Sequence, residues 1–283
     1  MRTGRQGKLG RGVFYLLVVA ILFYIVFPFY WAFRSSISSN AELFSTPVSY
    51  WPGRPTLQNY QLVLSDGLFL RSLLNSAVVA SLVTLLSLLV GVLGSYALGR
   101  FSFRGRTPVL YLVLSMTMFP QIAVLGSLYA LITWLGLYNS LTALVLTYLI
   151  FTLPFTVWVL TSFFQAMPRD LEEAATVDGA SPFQTLYMVM LPLVAPGLVT
   201  TSLLAFIAAW NEFLYALSFT QTPDKRTVPL AIFTFSPQTG GGYEIPWGQM
   251  MAATVVVTIP LIVLALVFQR RIIAGLTAGA VKG

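Results

Sequence analysis

Residues 107–168 read TPVLYLVLSMTMFPQIAVLGSLYALITWLGLYNSLTALVLTYLIFTLPFTVWVLTSFFQAMP. These 62 residues contain no Asp, Glu, Lys or Arg. One α-helix crosses a hydrocarbon core in about 20 residues, at about 1.5 Å each. The run is therefore far too long for a single span. Polarity rises at Gly136-Leu137-Tyr138-Asn139-Ser140, where a short turn fits. Two helices follow, near 107–134 and 141–165.

The same search finds four more charge-free runs: Gly12–Phe33, Ser72–Gly99, Gly179–Asn211 and Ile245–Gln269. Together they predict an all-α, polytopic membrane protein. Its six transmembrane helices fall near 12–33, 72–99, 107–134, 141–165, 193–219 and 249–269. Composition agrees, with 57% of the 283 residues hydrophobic, 9% charged, and a mean hydropathy of +0.81. An ordinary soluble domain carries about 25% charged residues, so a soluble enzyme and a disordered chain are both excluded. The first span follows Arg2, Arg5, Lys8 and Arg11. It is longer than the hydrophobic region of a signal peptide, and no A-x-A site follows before Arg34, so an uncleaved anchor is expected.

Charge placement sets the orientation. The N-terminal tail, the 100–106 loop, the 166–190 segment and the C-terminal tail hold 11 of the 16 basic residues. The positive-inside rule assigns that side to the cytoplasm, with both termini. The net charge of +7 then belongs to topology. No soluble basic face exists to bind nucleic acid.

Chemistry is excluded residue by residue. No His or Cys is present, which removes disulfides, thiolate or imidazole metal sites, and any protease using His as base. No G-x-x-x-x-G-K-[ST] loop occurs, so ATP is not bound in that way. An ion-coupled secondary carrier usually keeps carboxylates at bilayer depth, and here only Glu212 approaches it. A pathway of polar and aromatic groups without fixed charge suits a neutral solute. Gln121, Trp210, Asn211, Glu212 and Tyr215 are the candidate lining residues. In the second span, Ser87, Gly91 and Ser95 recur every four residues. Such a face permits close helix approach, within the bundle or at a subunit interface. Pro120, Pro154, Pro196 and Pro260 lie inside spans and are expected to kink them.

The segment 166–192 lies outside the bilayer. Pro168 suits a first helical turn, and Asp170, Glu172 and Glu173 complement its positive end. Gly179 suits the C′ position. Ser181, Pro182 and Gln184 then form a Ser-x-x-Gln capping box. Phe183, Leu186, Tyr187 and Met190 give the second helix an apolar stripe, which Leu191-Pro192 should break. Two short helices over 168–190, acidic and with one greasy face, result. A helix lying on anionic lipid would prefer Lys and Arg, so a protein partner fits better.

Glu173-Ala174-Ala175-x3-Gly179-x9-Val189-x-Leu191-Pro192 resembles the EAA loop of ABC importer permeases, with Val189 where Ile is usual. Trp210-Asn211-Glu212 and the tail from Gln269 to Gly283 extend the likeness. The tail is similar to that of the G-type permease of maltose and trehalose uptake systems, binding-protein-dependent carbohydrate importers. The resemblance implies a single transmembrane domain over residues 1–283 in a bacterial or archaeal inner membrane. It implies three partners besides lipid: a second permease subunit, an ABC ATPase dimer and an extracytoplasmic sugar-binding protein. ATP and Mg would be held by the ATPase, and this chain would carry no cofactor or metal. By the same likeness, Glu173, Ala174, Ala175 and Gly179 would contact the ATPase; Glu172, Asp178, Ser181 and Phe183, beside them on the same two helices, are further coupling candidates. Gly275, Thr277 and Gly279 of the tail would reach towards it. The implied cargo is a disaccharide or oligosaccharide, a maltose- or trehalose-like α-glucoside. A different neutral or polyol-type solute is the alternative.

Overall fold

Helices dominate because the chain offers long apolar runs and, between them, a Pro- or Gly-punctuated connection for each. The structure is a computed structural model describing residues 3–235 and 245–278, with side chains over 10–235 and 245–269. In order, the helices are α1 (Thr3–Ser36), α2 (Asn40–Leu43), α3 (Gln58–Ser65), α4 (Gly67–Arg100), α5 (Arg106–Met118), α6 (Gln121–Trp134) and α7 (Leu141–Ala166). They continue with α8 (Asp170–Val177), α9 (Pro182–Gln184), α10 (Leu191–Trp210), α11 (Leu214–Phe219), α12 (Val228–Phe233) and α13 (Trp247–Ala278). Among the described residues no strand occurs. Five helical stretches are long and apolar enough to cross a membrane, and six if a bent pair counts as one span.

That bent pair corrects the third predicted span. Instead of one helix over 107–134, α5 and α6 meet at a 96° bend around Phe119-Pro120. Pro120 has no N–H to continue the ladder and drives the residue before it out of the helical region. Phe119 is accordingly extended, at φ −74° and ψ 129°. Pro154, Pro196 and Pro260 instead stay inside their helices.

The fifth span is corrected too. It was expected to run to 219, but α10 ends at Trp210. Asn211 turns its side-chain amide back to the Ile207 carbonyl at 2.9 Å. The Glu212 carboxylate accepts from the backbone N–H groups of Tyr215 (2.7 Å) and Ala216 (3.1 Å), starting α11. A carboxylate capping a new helix end is a strong local reason for the chain to restart there. At its other end the span begins early. Pro192 does not break the chain, because residues 185–190 form a widened π turn closed by the Leu191 N–H on the Leu186 carbonyl. A widened turn carries the i−4 carbonyl clear of the proline ring.

Two compact units divide the chain: Met1–Gly67 with Ile232–Thr258, and Leu68–Ala231 with Ile259–Gly283. In the first, Asn59 ties the end of α1 by donating to the Ser36 and Ser38 carbonyls, both at 2.9 Å. In the second, the small-residue face of α4 is internal packing against α7. Ser87 hydrogen-bonds Thr152 at 2.8 Å, and a Cβ on Gly91 would lie 2.6 Å from Thr156 Cγ2. Only glycine lets the two helices approach so closely. Further along this unit, Tyr96, Leu160, Phe164, Leu186, Met190 and Val194 form one buried apolar cluster. That cluster carries the 166–192 hairpin.

Candidate functional site

The hairpin is built by three local devices. The first ends α8. Gly179 takes φ +81°, and the N–H groups of Gly179 and Ala180 close onto the Thr176 (3.0 Å) and Ala175 (2.9 Å) carbonyls. This double closure is the Schellman pattern, which needs a residue tolerant of positive φ at C′. The second starts α9. Ser181 Oγ accepts from the Gln184 N–H at 3.3 Å, while Gln184 Oε1 accepts from the Ser181 N–H at 2.8 Å. That reciprocal capping box is the one expected from sequence.

The third device sits at the base and was not anticipated. Arg100, at the end of α4, donates from Nε to Glu172 Oε2 at 2.8 Å. Its other nitrogens donate to the carbonyls of Phe164 (3.1 Å), Met167 (2.8 Å) and Pro168 (3.1 Å). One guanidinium thereby satisfies the end of α7 and clamps α8. Arg106 does the same for the end of α4, donating to the Leu98 and Gly99 carbonyls at 2.7 and 3.1 Å. The loop arginines therefore serve as helix caps as well as topology signals. From sequence, only the placement of a basic residue at a helix end could have pointed to this.

The predicted contact residues fall into two sets. Glu172 is committed to Arg100, and Ala175 is buried. Glu173, Ala174, Asp178, Gly179, Ser181 and Phe183 are exposed. The expected apolar stripe splits as well. Leu186 and Met190 turn into the buried cluster, so they are not part of a free face. The π turn changes the angular register between Phe183 and Met190, which a 3.6-residue period could not anticipate. What remains outside is Val177 (88% exposed), Phe183, Tyr187 and Met188. The surface of the hairpin thus carries exposed apolar side chains on both sides of its turn and acids along α8, on a base bonded to Arg100.

Of the pathway candidates, Gln121 and Tyr215 come together. Both line a cavity of about 350 Å³ with Ser115, Phe119 and Phe151. Gln121 is the first residue of α6, so the break at Pro120 is what presents it there. Tyr215 is buried within a ring cluster with Tyr148, Phe151 and Phe219. Trp210, Asn211 and Glu212 do not line this cavity. Trp210 is buried and stacked on Phe206, with ring centroids 5.6 Å apart. Asn211 and Glu212 spend their side chains on helix ends. Gly275 and Thr277 lie in the last turns of α13, and Gly279 lies outside the described residues.

Known proteins share this plan across more than nine-tenths of its length. The chain is 46% identical over 272 residues to the trehalose/maltose transport system permease protein MalG of Thermococcus litoralis, covering 95% of this chain and 96% of that one. It is 41% identical over 258 residues to the sulfoquinovosyl glycerol transport system permease protein SmoH of Agrobacterium fabrum, covering 91% and 89%. The fold matches a crystal structure of a bacterial ABC transporter that imports the acidic polysaccharide alginate. There the TM-score is 0.80 at 24% identity, over 95% of this chain and 99% of that one. Residues 87–277 match the family described as binding-protein-dependent transport system inner membrane component. The chain belongs to that family, as a multi-pass carbohydrate ABC importer permease, a transport component rather than an enzyme.

Proposed function

We propose that this permease imports a disaccharide or short oligosaccharide of the maltose or trehalose type by alternating access, driven by a separate ATPase. The observation that carries the coupling half is the surface of the hairpin. Val177, Phe183, Tyr187 and Met188 are held out while Arg100 and the side chains of Leu186 and Met190 anchor the base. An apolar knob on a rigid mount transmits displacement, and a partner that closes around it biases a two-state bundle. Glu173 and Asp178 add charges that a basic rim on the partner would meet. The 46% identical trehalose/maltose permease supports the choice of cargo.

The full assembly would contain a second permease subunit, an ABC ATPase dimer that binds ATP and Mg, and an extracytoplasmic sugar-binding protein. The hairpin and both termini would face the cytoplasm, as the distribution of Lys and Arg suggests. The cavity of Gln121, Ser115 and Tyr215 is the proposed stretch of the sugar path within this subunit, offering an amide, hydroxyls and rings without fixed charge. A glycosylglycerol-type solute is the second reading, favoured by the 41% identical sulfoquinovosyl glycerol permease.

Co-purification in mild detergent, followed by ATP hydrolysis assays on the complex, tests the proposal. The expected result is an ATPase and a second permease in the preparation, with hydrolysis raised by trehalose or maltose plus the binding protein. Sugar uptake into vesicles containing only this chain, driven by an ion gradient, would overturn it.

A further inference from the structure

We propose that Arg34, Glu42 and Trp31 form a separate binding site for one glycosyl residue of a neutral sugar, in the unit built from residues 1–67 and 232–258. These side chains share a cavity of about 380 Å³ whose wall also includes Phe44, Trp247 and Met251. Its size is at the small end of the roughly 300–1,000 Å³ range of small-molecule sites. The lining is distinct from that of the Gln121–Tyr215 cavity, with which it shares no residue.

Two unmet charges mark it as a site. Arg34 is 2% exposed, yet its Nε and Nη2 hydrogens have no partner among the described residues. These two atoms form one edge of the guanidinium, the edge that donates two parallel hydrogen bonds. The guanidinium carbon lies 5.3 Å from the Trp31 ring centroid, so the fork is held in place by a cation–π contact. Glu42 lines the same cavity, and its Oε1 accepts from the Gly53 N–H at 2.7 Å. Its Oε2 is buried without a partner. Burying an unpaired donor edge and an unpaired carboxylate oxygen on two residues that line one cavity is costly.

The ligand must repair both deficits. A carboxylate or phosphate would satisfy Arg34 and be repelled by Glu42, and a cation would do the reverse. Adjacent hydroxyl groups do both, since each accepts from an arginine N–H and donates to a carboxylate oxygen. The indole and phenyl surfaces of Trp31, Trp247 and Phe44 match the apolar C–H face of a sugar ring. The choice of a glycosyl group over another neutral polyol rests on the carbohydrate-permease reading. The positive-inside count places this end of α1 on the exterior, where arriving cargo would meet it.

The test reads binding alone, without ATP, so its failure is distinct from failure of the ATPase coupling. The co-purified complex in lipid nanodiscs is titrated with trehalose, and separately with glucuronate as an anionic probe, while tryptophan emission is followed. Trehalose should quench saturably, with a smaller amplitude in Trp31→Phe. Arg34→Met and Glu42→Gln should each raise Kd at least about tenfold, the loss expected for one charge-assisted hydrogen bond. Glu42→Gln keeps an oxygen for the Gly53 N–H, so it decides the matter even if Arg34→Met fails to fold. An unchanged trehalose Kd in Glu42→Gln, tighter binding of glucuronate than of trehalose, or no saturable quenching would overturn the proposal.

Discussion

Gly179 and Glu173 sit six residues apart on the hairpin and should fail in different ways. Gly179 holds φ +81° at the end of α8, where a Cβ is unfavourable by about 1 kcal/mol. Gly179→Asp also adds a charge beside Asp178. We expect lost sugar uptake at undiminished membrane content, read by radiolabelled uptake alongside quantitative blotting of membranes. Glu173 is exposed and bonds nothing within the hairpin that a lysine would break. Glu173→Lys should therefore lower the melting temperature of the purified chain only slightly, by the loss of one favourable charge at the start of α8, and abolish transport. A large fall in melting temperature would make its role structural. Glu172 is the contrast. Its place in the acidic cluster makes it a contact candidate beside Glu173, but its carboxylate is bonded to Arg100. Pattern alone could not separate the neighbours, because which acid faces inward depends on an arginine 72 positions away.

The elements respond to packing and to helix ends. Gly91 on α4 leaves no room for a methyl group against Thr156 of α7. Gly91→Ala should destabilise by about 1–3 kcal/mol, the usual cost of overpacking. Thr156→Ser removes the clashing Cγ2, so the double variant should recover much of the loss, measured as coupling in a thermal-unfolding cycle. Arg100→Ala leaves three carbonyls and the Glu172 carboxylate without their common donor, at a cost of about 3–5 kcal/mol for a broken buried pair. Limited proteolysis should then cut within 166–192 much faster than in the parent. The span count and the hairpin caps were readable in sequence because charge-free runs, glycine and Ser-x-x-Gln act locally. The broken third span was half readable: Pro120 was visible, but some helices run on through a proline and others are severed by it, as Pro154 and Pro120 show here. The split apolar stripe was not readable at all, because neither the π turn at 185–190 nor the packing of Leu186 and Met190 against Tyr96, Leu160 and Phe164 leaves a local signal in the sequence.

At the scale of the whole molecule, one chain must be both a lipid-embedded conduit and a lever. The natural sequence has no cysteine, so single introduced cysteines report topology without background. Ser102→Cys should react with an impermeant maleimide only from the cytoplasmic side, and Ser45→Cys only from the exterior. The central claim is that the hairpin tip is seated in a protein partner and moves with it. The most direct measurement places a photoactivatable crosslinker on Phe183→Cys in membranes containing the full complex. Crosslinks to the ATPase subunit that shift in yield when ATP is added are the expected result. Crosslinks confined to lipid, with sugar-stimulated hydrolysis intact, would contradict the account.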